Sequence, residues 1–233
     1  METALTWARG PMFWTAFTFM ILGLLRHVVF TILETRRVMQ RAGDKNVPYR
    51  QVWRNTLAWL FPVTRLRQRF VYSLSTLVFH IAIIVVPVFL SAHIVLWQRN
   101  LGLSWPALPS AAADILTIIA VVAAVAIVAQ RIAFADARSL SRFQDYVLPL
   151  VIALPFVAGL LAAHPQWNPF RYEATLLVHV ISANLVFILV PLTKISHCVL
   201  LPLTQVLSEA AWHFPADSGS KVAVALGKEN EPV

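Results

Sequence analysis

Five long apolar runs separated by polar segments set the pattern of this chain. They cover about 12–33, 71–98, 112–130, 146–163 and 174–203. About 20 apolar residues in helical form cross a hydrocarbon layer of about 30 Å. A helix also satisfies its backbone polar groups internally, as lipid requires. The pattern therefore predicts an all-α polytopic membrane protein with five transmembrane helices in a bundle. The third run, AAADILTIIAVVAAVAIVAQ, is the cleanest, with Asp114 near one end. The first carries Arg26 and His27 near its C-terminal end. No internal repeat is visible.

The polar segments are unequal. Between runs one and two, ETRRVMQRAGDKNVPYRQVWRNTLAWLFPVTRLRQR carries nine basic residues: Arg36, Arg37, Arg41, Lys45, Arg50, Arg54, Arg65, Arg67 and Arg69. The connection between runs three and four, RIAFADARSLSRFQD, is also basic, whereas the other two hold little beyond Arg99 and Arg171. Basic loops stay in the cytoplasm. This predicts a multi-pass protein of a bacterial or archaeal cytoplasmic membrane, N-terminus outside and C-terminal tail inside. Trp97, Trp105 and Trp167 then fall at the outer interface. Within 49–69, Trp53, Leu57, Leu60 and Phe61 recur at helical spacing, flanked by Arg50, Arg54 and Arg65. That predicts a cytoplasmic interfacial amphipathic helix, serving either as an anchor on anionic lipid or as a docking surface for a partner. The expected organisation is one membrane domain over 1–203, including the cytoplasmic segment 35–69, and a tail over 204–233.

Composition agrees with a bilayer environment. Of 233 residues, 58% are hydrophobic and 13% charged, too few charges to cover a soluble surface. The net charge of +8 follows from the basic loops, so nucleic-acid binding is not invoked. The N-terminal METALTWARGPMFWTAF has one Arg before the apolar run and no small-residue cleavage site, so it is expected to begin the mature chain. The single cysteine, Cys198, excludes an internal disulfide, a cysteine-ligated iron–sulfur cluster and a CxxCH haem site within the chain.

Histidine is left as the residue to hold a redox cofactor. His80 and His93 lie in run two, His179 and His197 in run five. Strongly polar side chains within a bilayer are costly and usually functional. Four imidazoles, two per run, suit two bis-histidine haems b. If runs two and five are antiparallel, His80 matches His197 in depth toward the inside, and His93 matches His179 toward the outside. At 1.5 Å per residue the separations are about 20 Å along run two and about 27 Å along run five, so bending at Pro87 and Pro191 is expected. Eighteen residues make five turns, which would put His179 and His197 on one helix face. Thirteen residues turn about 220°, so His80 and His93 cannot share a stripe of a straight helix. His27, His164 and His213 are expected to be polar residues with ordinary hydrogen-bond partners. The competing class is a non-redox membrane protein, such as a His-lined metal carrier or an assembly factor. Carriers usually add acidic or sulfur ligands, and the centres of runs two and five lack Asp and Glu.

The stretch HVISANLVFILVPLTKISHCVLLP resembles the gamma-subunit family of respiratory nitrate reductases, five-span di-haem cytochromes b. Two histidines 18 apart frame a proline, with Lys194 three before the second histidine and a further proline after it. QRIAFADARSLSRFQDYVLPL is similar to that family's basic connection between spans three and four. Length and span count extend the resemblance over most of the chain. The FHIAIIVVPVFLSAH spacing and the long segment 35–69 are more similar to relatives in sulfite-reductase-associated and heterodisulfide-reductase-like complexes. The resemblance implies that His80, His93, His179 and His197 ligate two haems b. It further implies a quinol site near the outer haem, an iron–sulfur partner subunit on the cytoplasmic side, and an electron-transfer subunit as the chain's role. Arg26 and Lys194, at the inner ends of their spans, are expected either to pair, one or both, with propionates of the inner haem or to anchor on phosphate headgroups. Trp97 and Arg99 are expected either as ordinary interface anchors or at the quinone, where a quinol could release its protons outward.

Overall fold

The computed structural model describes residues 1–41, 47–60, 70–211 and 215–230. Among them it is helical throughout, with no strand. Helix α1 (Glu2–Trp7) runs through a wide π segment (Ala8–Met12) into α2 (Phe13–Arg41). There follow α3 (Tyr49–Leu60), α4 (Phe70–Phe89), α5 (Ser91–Leu101), α6 (Ser110–Ala133), α7 (Ala135–Leu140) and α8 (Phe143–Ala163). After α9 (Tyr172–Leu192), a 3-10 turn (Lys194–Ser196) leads into α10 (His197–Ala211), and α11 (Ser218–Leu226) is last. Five helical stretches are long and apolar enough to cross a membrane: Glu2–Arg41, Phe70–Phe89, Ser110–Ala133, Phe143–Ala163 and Tyr172–Leu192. The chain is a multi-pass membrane protein.

Two expectations about these helices are corrected. Run two is not one helix. Leu90 adopts an extended conformation (φ −71°, ψ 127°) and divides it, so His80 lies on α4 and His93 on α5. Run five breaks as well, at Thr193 (φ −128°, ψ −175°). His197 therefore opens α10, and the five-turn argument that put it on one face with His179 does not apply. Pro87 and Pro191 stand within four residues before each break. A proline removes a backbone donor and its ring crowds the carbonyl four residues earlier, which weakens the helix there.

The chain forms two compact units, Met1–Phe17 with Thr64–Phe187 and Thr18–Val63 with Ile188–Val233. In the first, α6 lies against both α4 and α8. Ala113, Thr117, Ala120, Ala124 and Ile127 recur at helical spacing and are buried on α6. Small side chains let helix backbones approach closely, which matters in lipid because the surroundings are as apolar as the core. Ile115, Val122 and Val125 on the opposite face are more than half exposed, as lipid-facing residues would be. Gln130, buried near the end of α6, donates to Ser75 Oγ on α4 at 3.1 Å.

In the second unit α3 packs on α10. Val52 of α3 packs with Ala210, and Met39 and Val206 close over them. Asn55 Nδ2 donates to Glu209 at 3.2 Å. The opposite face exposes Tyr49, Trp53 and Leu57. The expected helix over 49–69 is thus seen over Tyr49–Leu60. Phe61, Arg65, Arg67 and Arg69, like Lys45 and His213, lie outside the described residues.

Ala124 is fully buried in the α4–α6–α8 core. Ala124→Leu should destabilise the protein by about 1–3 kcal/mol through overpacking. Thermal unfolding in detergent should show the loss, and Val122→Leu on the exposed face should leave the transition in place.

Candidate functional site

The break at Leu90 creates the first part of the site. The last four carbonyls of a helix lack continuing partners. In α4 all four are taken. Val86 O accepts from Leu90 N at 2.9 Å, and Phe89 O accepts from Leu108 N at 2.9 Å. Val88 O accepts from the Trp105 indole at 2.9 Å. Pro87 O faces His93 Nδ1 at 3.0 Å. The imidazole thus supplies the donor that the interrupted helix no longer provides.

On α9, His179 is held in the same manner. Its Nδ1 lies 2.7 Å from the carbonyl oxygen of Pro155 on α8. One turn further along α8, Gly159 makes room for the ring: a Cβ there would stand 2.9 Å from Nδ1 and 3.0 Å from Cε1 of His179. Glycine is required by this close approach rather than by its backbone angles.

These two restraints bring His93 and His179 together. Their ring centroids are 6.0 Å apart and their planes differ by 18°. Each Nδ1–H is committed to a carbonyl, which fixes the tautomer with the lone pair on Nε2. Histidine ligands are oriented by this kind of bond from the second ring nitrogen.

His80 belongs to the first unit and His197 to the second, and each is described within its own unit. His80 Nδ1 lies 2.7 Å from Thr76 O on α4. His197 Nδ1 lies 2.7 Å from Lys194 O in the 3-10 turn. All four candidate ligands therefore present Nδ1 to a backbone carbonyl. The two other described histidines differ. His27 uses Nε2, 2.9 Å from Pro191 O, and His164 turns Nε2 toward Asp114 Oδ2 at 3.1 Å. Gly23 admits Pro191 beside this contact, since a Cβ there would lie 2.5 Å from the proline Cβ.

The other candidates spread out. Arg26 is exposed, its guanidinium 5.0 Å from the Phe30 ring centroid. Lys194 is exposed in the 3-10 turn whose carbonyl holds His197. Trp97 and Arg99 follow His93 on α5. Trp97 packs edge-on against Phe17 at 5.4 Å, and Arg99 is exposed. Phe17 in turn meets Phe187 at 5.9 Å, so Trp97 belongs to an aromatic cluster as well as to the helix end.

Some residues of the site escaped the sequence reading. Asn184 is fully buried on α9 and donates from Nδ2 to Ala8 O at 3.0 Å, in the π segment. A lone amide in an apolar run was the signal for it, as the pairing of a proline with a histidine was for Pro87 and Pro155. Among the described residues, no three His, Cys, Asp or Glu side chains gather as a protein-only metal site.

No protein-family model matches the chain, and no solved structure matches it. A protein of Nitratidesulfovibrio vulgaris, strain Hildenborough, designated only "Protein", is 34% identical over 201 residues, covering 84% of this chain and 88% of its own.

Gly159→Ala should push the His179 ring away from Pro155. The Nδ1 proton resonance of His179 in histidine-labelled protein should shift or broaden, while that of His80 holds. An unchanged His179 resonance would mean that the close approach is not maintained in the membrane.

Proposed function

We propose a function for this chain, which belongs to the same family as the Nitratidesulfovibrio vulgaris protein: it is a membrane cytochrome b that carries electrons between quinone and an iron–sulfur partner subunit. The His93–His179 pair carries the reading. An imidazole nitrogen sits about 2.0 Å from a bound metal and about 1.1 Å from its ring centre, so two ligands on opposite sides of one metal place their centroids about 6.2 Å apart. Here the separation is 6.0 Å. Two nitrogens suffice when a porphyrin supplies the other four, whereas a site built from protein alone needs three or four side chains.

The residues fit a haem in chemistry as well as spacing. Both imidazoles are neutral donors oriented by proline carbonyls, and the surroundings are apolar helices. A haem held there would supply reversible one-electron transfer. His80 and His197, with their Nδ1 atoms likewise on carbonyls, would hold the second haem. That pairing rests on their matched depth in the sequence. Arg26 and Lys194 would neutralise its propionates.

Orientation follows from charge and depth. The basic segments between α2 and α4 and between α6 and α8 face the cytoplasm under the positive-inside rule. His93 and His179 then serve the outer haem, and His80 and His197 the inner one. Arg99 would hydrogen-bond a quinone oxygen at the outer mouth, with Trp97 beside the ring. Protons of a quinol would leave outward while electrons cross inward. The electrons would pass to the iron–sulfur subunit docked on the cytoplasmic face, in a nitrate-reductase-like or sulfite- or heterodisulfide-reductase-associated complex. The membrane is the cytoplasmic membrane of a prokaryote.

Pyridine haemochrome analysis of protein from haem-replete cells tests the reading. Two b haems per chain are expected. His93→Ala or His179→Ala should remove the outer haem alone, and His80→Ala or His197→Ala the inner. Colourless protein from such cells would leave the non-redox alternative, a carrier or an assembly factor.

A further inference from the structure

An ionisable pair sits apart from the four histidines. Asp114 is the fifth residue of α6 and His164 directly follows α8. His164 Nε2 is 3.1 Å from Asp114 Oδ2, and the two side chains are 21% and 33% exposed. Nε2 itself is buried and makes no hydrogen bond, so the carboxylate stands at ion-pair distance only. Trp167 stacks on the imidazole, with centroids 4.3 Å apart and planes 26° apart. Gln166 Nε2 lies 3.4 Å from Nδ1, a long contact that an incoming hydroxyl could replace.

The pair lies at the His93–His179 end of its unit. His164 is five residues beyond Gly159, which touches the His179 ring. That is about 7.5 Å along a helical rise. Asp114 follows the loop whose Trp105 and Leu108 bond the α4 carbonyls next to Pro87. An apolar span end has no structural need for a carboxylate facing an imidazole, and burying such groups is costly.

We propose that Asp114 and His164 form the proton acceptor for quinol oxidised at the outer haem, with His164 Nδ1 as the base. This rests on the cytochrome reading above. The Gln166 amide nitrogen can only donate, so the lone pair is on Nδ1 and the proton on Nε2, 3.1 Å from Asp114 Oδ2. A carboxylate behind an imidazole orients it in this way and stabilises the imidazolium that forms. In each of two one-electron steps a quinol O–H bond breaks. A haem held by His93 and His179 would take up the electron, and the proton forms an N–H bond at Nδ1. The partly exposed imidazole gives that proton to outside water before the second step, so one quinol yields one quinone, two electrons and two protons. Among charged groups, Asp114 of α6 faces the imidazole. Gln166 and Trp167 of its own loop are neutral, and Arg171 and Glu173 are the next charges along the chain.

The test uses the haem-loaded protein in nanodiscs, with menadiol as reductant. His164→Gln should slow menadiol-driven haem reduction about 100-fold, the usual scale for losing a general base. Its dithionite-reduced spectrum should stay that of the unaltered protein. Asp114→Asn should slow the same reduction, because a neutral amide attracts the protonated ring less. A second readout needs no turnover: the quinol analogue 2-heptyl-4-hydroxyquinoline N-oxide should shift the His164 ring nitrogen resonances. Haem-replete variants with unaltered rates, or no response of His164 to the analogue, would overturn this inference alone. Protein without haem would overturn the cytochrome reading and this inference with it.

Discussion

A hydrogen bond from an imidazole to a helix carbonyl organises the candidate site. In an apolar medium a ring N–H without a partner costs free energy, and so does a carbonyl freed by a helix break. His93 answers both demands at once, because the carbonyl of Pro87 lies where α4 stops. His179 meets Pro155 on a neighbouring helix, and Gly159 leaves the space for it. Orientation of the two rings is thus a property of the backbone. The chain places its Nε2 atoms through its prolines and one glycine.

The helix core supports this arrangement. Alanines and threonines on α6 allow close contact with α4 and α8. α8 carries Pro155, Gly159 and His164 along one helix and its end, so the restraint on His179 and the Asp114 pair share a scaffold. Large apolar side chains go outward, where lipid takes the place of a protein core.

Much of the architecture was legible in the sequence because five spans need only length and hydropathy. The breaks were not. Runs two and five stay apolar across Leu90 and Thr193, so hydropathy gives no signal there, and only Pro87 and Pro191 hinted at bending. Depth counting put His93 opposite His179, and their rings lie 6.0 Å apart. The same counting put His179 and His197 on one helix face, which fails because it assumed an unbroken helix. The Asp114–His164 contact joins residues 50 apart in sequence. Neither hydropathy nor local spacing carries such a pairing, and His164 read as an ordinary polar residue.

The central claim is that His93 and His179, whose ring planes differ by 18°, would hold one haem between them. Low-temperature electron paramagnetic resonance of the oxidised protein tests it most directly. Near-parallel imidazoles predict a rhombic low-spin ferric signal for the outer haem, lost in His93→Ala and in His179→Ala but kept in His80→Ala. A high-spin ferric signal in unaltered protein, or survival of that same rhombic signal in both His93→Ala and His179→Ala, would contradict the account.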